Sequence, residues 1–178
     1  MTNLKTLKAN IPDYASDIRE NIDNLISDEN KILTPKQVFG SALAAAYAAK
    51  EKSAINDIKS EAKFHLSKSE MDAVKTATSI TTMNNIYRNF VQATNDSKYD
   101  ELPVQLTTAN ADNHTIDKID FEIFALATCI INTCPKSINL RINRLADYGL
   151  SKEQIQMIAK IVATVGAAAQ LLSIEEII

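Results

Sequence analysis

Apolar residues return every three or four positions along this chain, and alternation of the kind a strand needs is scarce. That period predicts amphipathic helices. Tyr14, Ile18, Ile22, Leu25 and Ile26 form one stripe, in a helix opened by Pro12 and preceded by a short helix over 3–9. Ile55, Ile58, Ala62 and Leu66 form a second, in a helix expected from about Ser53 to Leu66. Ile155, Ile158, Val162, Val165, Ala169 and Leu172 form the stripe of a last helix. Two further runs are apolar almost all round: the Ala-rich VFGSALAAAYAAK, and Phe121–Ile131, interrupted only by Glu122 and Thr128. Such helices belong in an interior, and small side chains in the first permit close helix approach.

Start signals agree with the stripes. A Ser or Thr followed three residues later by Glu or Gln is a capping box. Thr34 with Gln37, Ser67 with Glu70, and Ser151 with Gln154 each fit it, and Pro35 takes the first helical position after Thr34. The helix opened by Ser67 either continues through MNNIYRNFVQ or breaks near Thr82. SDENK at 27–31 is expected as a loop, residues 94–114 as a polar excursion, and Thr115 as the cap of the Phe121 helix. Leu66-Ser67-Lys68 is echoed by Leu150-Ser151-Lys152, and Phe39 by Phe121, at nearly equal offsets. A duplicated multi-helix unit, about 35–93 and 115–173, within a single domain over 1–178, would explain both echoes.

Composition narrows the class. With 178 residues, 46% of them apolar, the chain suits one domain with a real core. Only 3 Gly and 4 Pro support an all-α fold. A net charge of −3 gives no reason to expect nucleic acid as partner. No apolar h-region stands at the N-terminus and no long uncharged apolar run is evident, so neither a signal peptide nor a membrane span is expected. Two cysteines are too few for a secreted disulfide framework, and a cytoplasmic location fits them.

Both cysteines fall in FEIFALATCIINTCPKSINLRINRLADYG, residues 121–149. Cys134-Pro135 should end one helix and begin the next, which Gly149 should close. Cys134 then sits near the N-cap, where the helix dipole favours a thiolate. Lys136, Arg141 and Arg144 add positive charge, although such side chains are ordinarily solvated. Cys134, Ser137, Ile138 and Arg141 share one helical face. Cys134 can equally be a small buried hydrophobe, and Cys129, inside the apolar run, is expected in the core. Glu122 lies where acidic residues commonly complement a helix dipole. His65 and His114 have no partners at metal spacing and are expected at the surface.

Beyond these local readings the chain resembles the alkyl hydroperoxidase D proteins of the carboxymuconolactone decarboxylase-like superfamily. The resemblance runs through LKANIPDYASDI at 7–18, FHLS at 64–67, MNNIYR at 83–88, KYDEL at 98–102 and FEIFALATCIINTC at 121–134. It implies an all-helical duplicated fold, a homotrimer or hexamer, and no metal, haem or other cofactor. It also implies a Cys-x-x-Cys pair whose second sulfur attacks peroxide. A glutamate and a histidine relay protons to that sulfur, and the first cysteine resolves the sulfenic acid. A lipoyl or thioredoxin-like adaptor then reduces the disulfide. By position, Glu122 matches the relay glutamate and Cys134 the resolving cysteine. Ser137 stands in place of the attacking cysteine, Lys136 where histidine is common, and Arg141 in place of the relay histidine. The two-cysteine cycle therefore cannot run as the family writes it.

Three readings follow. Cys134 alone carries peroxide or thiol–disulfide chemistry, as in the monothiol C-x-x-S pattern of some glutaredoxins, with Cys129 as an unconventional resolving partner. Alternatively the chain is a catalytically impaired scaffold that binds a ligand or partner. A different reaction on the same fold, as in the decarboxylase branch, has no positive support. A Glu122–Arg141 ion pair replacing the relay is expected.

Overall fold

The computed structural model describes residues 4–109 and 116–176, and among these there are helices and turns but no strand. The all-α expectation holds. Helix α1 spans Lys5–Ala9, a single 3₁₀ turn at Asp13–Ala15 follows Pro12, and α2 spans Ser16–Leu25. Then come α3 (Pro35–Ala49), α4 (Lys52–Ala62), α5 (Lys68–Thr94), α6 (Lys98–Glu101), α7 (Lys118–Ile131), α8 (Pro135–Asp147) and α9 (Lys152–Glu175). All three capping boxes form, with Thr34, Ser67 and Ser151 each accepting from the backbone N–H three residues on.

Some boundaries differ from the sequence reading, each for a local reason. Glu51 caps α4 by accepting from the amides of Ser53 and Ala54, so that helix starts a residue early; it ends at Ala62, followed by turns. α5 does not break near Thr82 but runs on to Thr94, where Asn95 takes a left-handed cap at φ 51°. Thr115 and His114 lie outside the described residues; the observed cap of α7 is Asp117, which accepts from the Ile119 amide at 2.7 Å. The polar excursion contains the short α6.

The core is organised on α7, which is buried from Asp120 through Cys129. It packs against α3, α5, α8 and α9. α3 can come this close because Ala42, Ala44, Ala45 and Ala46 are fully buried and small, and because Gly40 leaves room for the Phe124 ring. One expectation is corrected here. His65 is not a surface residue: its side chain is 13% exposed and its ring stacks on Phe39, with centroids 4.0 Å apart and planes 7° from parallel. The flat apolar face of imidazole packs as an aromatic, while Nε2 lies 3.3 Å from the Asp28 carboxylate. α9 is long and apolar enough to cross a bilayer by length and composition, but its most apolar stretch is half buried inside the fold, against α2, α3, α4 and α7.

Candidate functional site

The site forms where α7 hands over to α8. α7 closes in a Schellman arrangement: the Thr133 amide donates to the Ile130 carbonyl at 3.1 Å and the Cys134 amide to the Cys129 carbonyl at 3.3 Å. This requires a left-handed residue at position 133, and Thr133 supplies it at φ 48°. Glycine is the usual occupant, and a β-branched residue there carries strain of about 1–2 kcal/mol. Pro135 disfavours helical dihedrals at the preceding residue, and Cys134 is extended (φ −106°, ψ 94°) as the N-cap of α8. Gly149, at φ 93°, closes α8 after Asp147 by the same geometry, as its position predicts.

Cys134 is fully buried. Its side chain caps no backbone amide; the thiol donates instead to Ser137 Oγ, 3.2 Å away, one turn along the helix. Ser137 is itself buried. The shared face of Cys134, Ser137 and Arg141 expected from their spacing is therefore present, with the sulfur turned inward. Cys129 is also buried and free, and its thiol points to Asn85 Oδ1 at 3.8 Å. Burial pushes the Cys129 thiol above its ordinary pKa, against smaller opposing pulls from Asn85 and Arg141. Among the described residues the Asn85 amide nitrogen, buried beside that thiol, has no hydrogen-bond partner.

Glu122 points out of α7 towards α8 and is the hub of the charged half of the site. Arg141 Nη1 donates to its Oε2 at 2.6 Å, and Arg144 Nη1 to its Oε1 at 3.0 Å. The expected Glu122–Arg141 pair thus exists, and both side chains are largely buried, at 11% and 14% exposure. Arg141 is not the solvated charge its residue type suggests. Arg144, three residues on, is the partner the sequence reading missed; its i, i+3 spacing from Arg141 was the available signal. Lys136 stays in solvent, 3.9 Å from Asp100, and joins neither the thiol nor the carboxylate.

Chemically this arrangement differs from a proton relay. A histidine can take and return a proton near neutral pH, but a guanidinium stays protonated and only donates hydrogen bonds. Glu122 is accordingly a clamped carboxylate, and the thiol lies beside a hydroxyl. Among the described residues no group of three or more His, Cys, Asp or Glu side chains is placed to hold a metal ion.

Comparison with known proteins supplies the family. No protein-family model matches the chain. Among curated proteins it is 39% identical to the alkyl hydroperoxide reductase AhpD of Coxiella burnetii over 97% of this chain and 98% of that one. It is 37% identical to that of Hyphomonas neptunium, over 97% and 94% of the two chains. It is 34% identical to that of Rhodospirillum centenum, over 97% and 91%. Identity of this level over nearly the whole of both chains means that the protein belongs to the alkyl hydroperoxide reductase AhpD family.

Proposed function

We propose that this chain serves antioxidant defence in a reducing cytoplasm, with Cys134 as its reacting sulfur. The observation that carries this reading is the place of Cys134 at the N-cap of α8, with its thiol 3.2 Å from Ser137 Oγ. In the cycle, the Cys134 thiolate attacks a hydroperoxide oxygen. An S–O bond forms, the O–O bond breaks, and the departing alkoxide takes up a proton to become an alcohol. The resulting sulfenic acid condenses with a second thiol, from Cys129 or a small thiol, and releases water. A dithiol of a lipoyl or thioredoxin-like adaptor then reduces the disulfide and is itself oxidised. Glu122, Arg141 and Arg144 hold the wall of the site in this scheme and shuttle no proton; Lys136 supplies distant positive charge.

Full burial of Cys134 favours the second reading, in which the chain keeps the family scaffold without its catalysis. Alkylation of Cys134 followed against pH, before and after hydrogen peroxide, separates the two. We expect labelling that is lost after peroxide, with a trappable sulfenic acid that persists longer in Cys129→Ala. Slow labelling that peroxide leaves unchanged, in both wild type and variant, would remove Cys134 from the chemistry.

A homotrimer or hexamer is part of the same proposal. Ile86, Phe90, Tyr99, Leu102 and Val104 are exposed along the outer half of α5 and the segment after it, and the Tyr99 ring meets Phe90 edge-on at 5.7 Å. Clustered exposed apolar side chains of this kind mark an interaction surface. Light scattering on the eluting protein should give three or six times the 19.6 kDa chain mass. A monomer at micromolar concentration would contradict it.

A further inference from the structure

The chain is acidic overall, yet the cleft beside Glu122 is basic. It measures about 640 Å³, and four cationic side chains line it: Arg88 from α5, Lys118 from the first turn of α7, and Arg141 and Arg144 from α8. Among the described residues Glu122 is the one carboxylate that lines it. Both Glu122 oxygens are already taken by Arg141 and Arg144. Among the described residues no carboxylate pairs with Arg88 or Lys118. Three helices therefore bring four cations together against one carboxylate among the described residues.

Convergence of like charges costs free energy that a bound anion offsets. Arg144 is 48% exposed on its side chain and uses one N–H on Glu122, so most of its five donors remain open to the cleft. Guanidinium forks match carboxylate and phosphate oxygens two at a time. The remaining walls include Leu140 and Tyr148, which suit a carbon skeleton better than a bare inorganic ion. The volume lies within the range of small-molecule sites, roughly 300–1,000 Å³. We infer that this cleft binds a small organic anion carrying two oxyanion groups, carboxylate or phosphate, held by Arg88, Lys118 and the open N–H groups of Arg144. The site is distinct from the thiol and does not depend on Cys134 reacting.

Titration calorimetry of the full chain tests it, with glutarate and inorganic pyrophosphate as probes. Saturable binding of at least one probe is expected at low salt, weakening as NaCl rises towards about 0.2 M. Arg88→Gln should raise the Kd about tenfold or more, the worth of one charge-assisted contact. Lys118→Gln alters an exposed side chain outside the core and should weaken binding as well, which covers the case in which Arg88→Gln fails to fold. Lys5→Gln, on α1 and outside the cleft, should leave the Kd unchanged. Preference for pyrophosphate would assign a phosphate-bearing ligand, and preference for glutarate a dicarboxylate. Absence of binding by both probes at millimolar concentration, or affinity indifferent to both Arg88→Gln and Lys118→Gln, would overturn the inference. Cys134→Ser should bind as wild type, so loss of the thiol chemistry and loss of this site are read separately.

Discussion

Gly40→Ala is expected to destabilise the protein by about 2 kcal/mol and lower its Tm by about 4–8 °C. Helix propensity alone predicts the reverse. Replacing a mid-helix glycine by alanine ordinarily gains close to 1 kcal/mol. At position 40, however, a Cβ would lie 2.1 Å from Phe124 Cε1 and 2.6 Å from its Cζ. Carbon atoms in ordinary contact sit roughly 3.5–4.0 Å apart. Either the ring or a whole helix must shift by more than an ångström. Phe124 is fully buried on α7, among side chains that are themselves buried, so it has no free direction. Overpacking of this severity costs about 3 kcal/mol and outweighs the propensity gain. Thermal unfolding of wild type, Gly40→Ala, Phe124→Leu and the double variant checks this. Shrinking the ring should relieve the clash, so Gly40→Ala should cost little in the Phe124→Leu background. A Tm that rises on Gly40→Ala alone would mean that α3 and α7 are not packed as described.

This contact also marks what the sequence could and could not disclose. Stripes of period three to four, capping boxes and the Cys134-Pro135 step located the helices, because those signals are local and act through the backbone of the same segment. Phe39 and Phe124 were legible as core residues. The role of Gly40 was not, because it depends on which ring of a distant helix lies opposite. His65 was misplaced for a related reason: a lone histidine with no partner at metal spacing looks solvent-facing until Phe39 is known to lie against its ring. Within the site, the one-turn spacing of Cys134, Ser137 and Arg141 was readable and holds. The inward direction of the sulfur, the second guanidinium on Glu122 and the convergence of Arg88 and Lys118 were not readable. Each depends on how α5, α7 and α8 pack, which no single segment specifies.

Installing at positions 137 and 141 the cysteine and histidine that the family resemblance implies should have the largest effect on activity. In the double variant Ser137→Cys/Arg141→His, dithiol-dependent hydroperoxide reduction is expected to exceed that of the wild type by about 100-fold or more, the contribution typical of a general acid–base group. Ser137 Oγ already sits 3.2 Å from Cys134 Sγ, so a sulfur at that position needs only a small rotation to reach the roughly 2.05 Å of a disulfide. A serine hydroxyl does not replace a thiolate towards peroxide, whereas a cysteine thiol at that position can attack it. The imidazole introduced by Arg141→His would face Glu122, which holds and orients it, and Arg144 remains to keep the carboxylate paired. The charge that Arg141 carries permanently would become one that titrates, so the rate should acquire a pH dependence near the histidine range. Ser137→Cys alone should form a disulfide between Cys134 and the introduced thiol on mild oxidation, yet turn over more slowly than the double variant. If the double variant forms that disulfide and still reduces hydroperoxide no faster than wild type, these two residues do not limit the reaction at this site. The basic cleft over Glu122, rather than the missing sulfur, would then be the feature that sets this chain's chemistry.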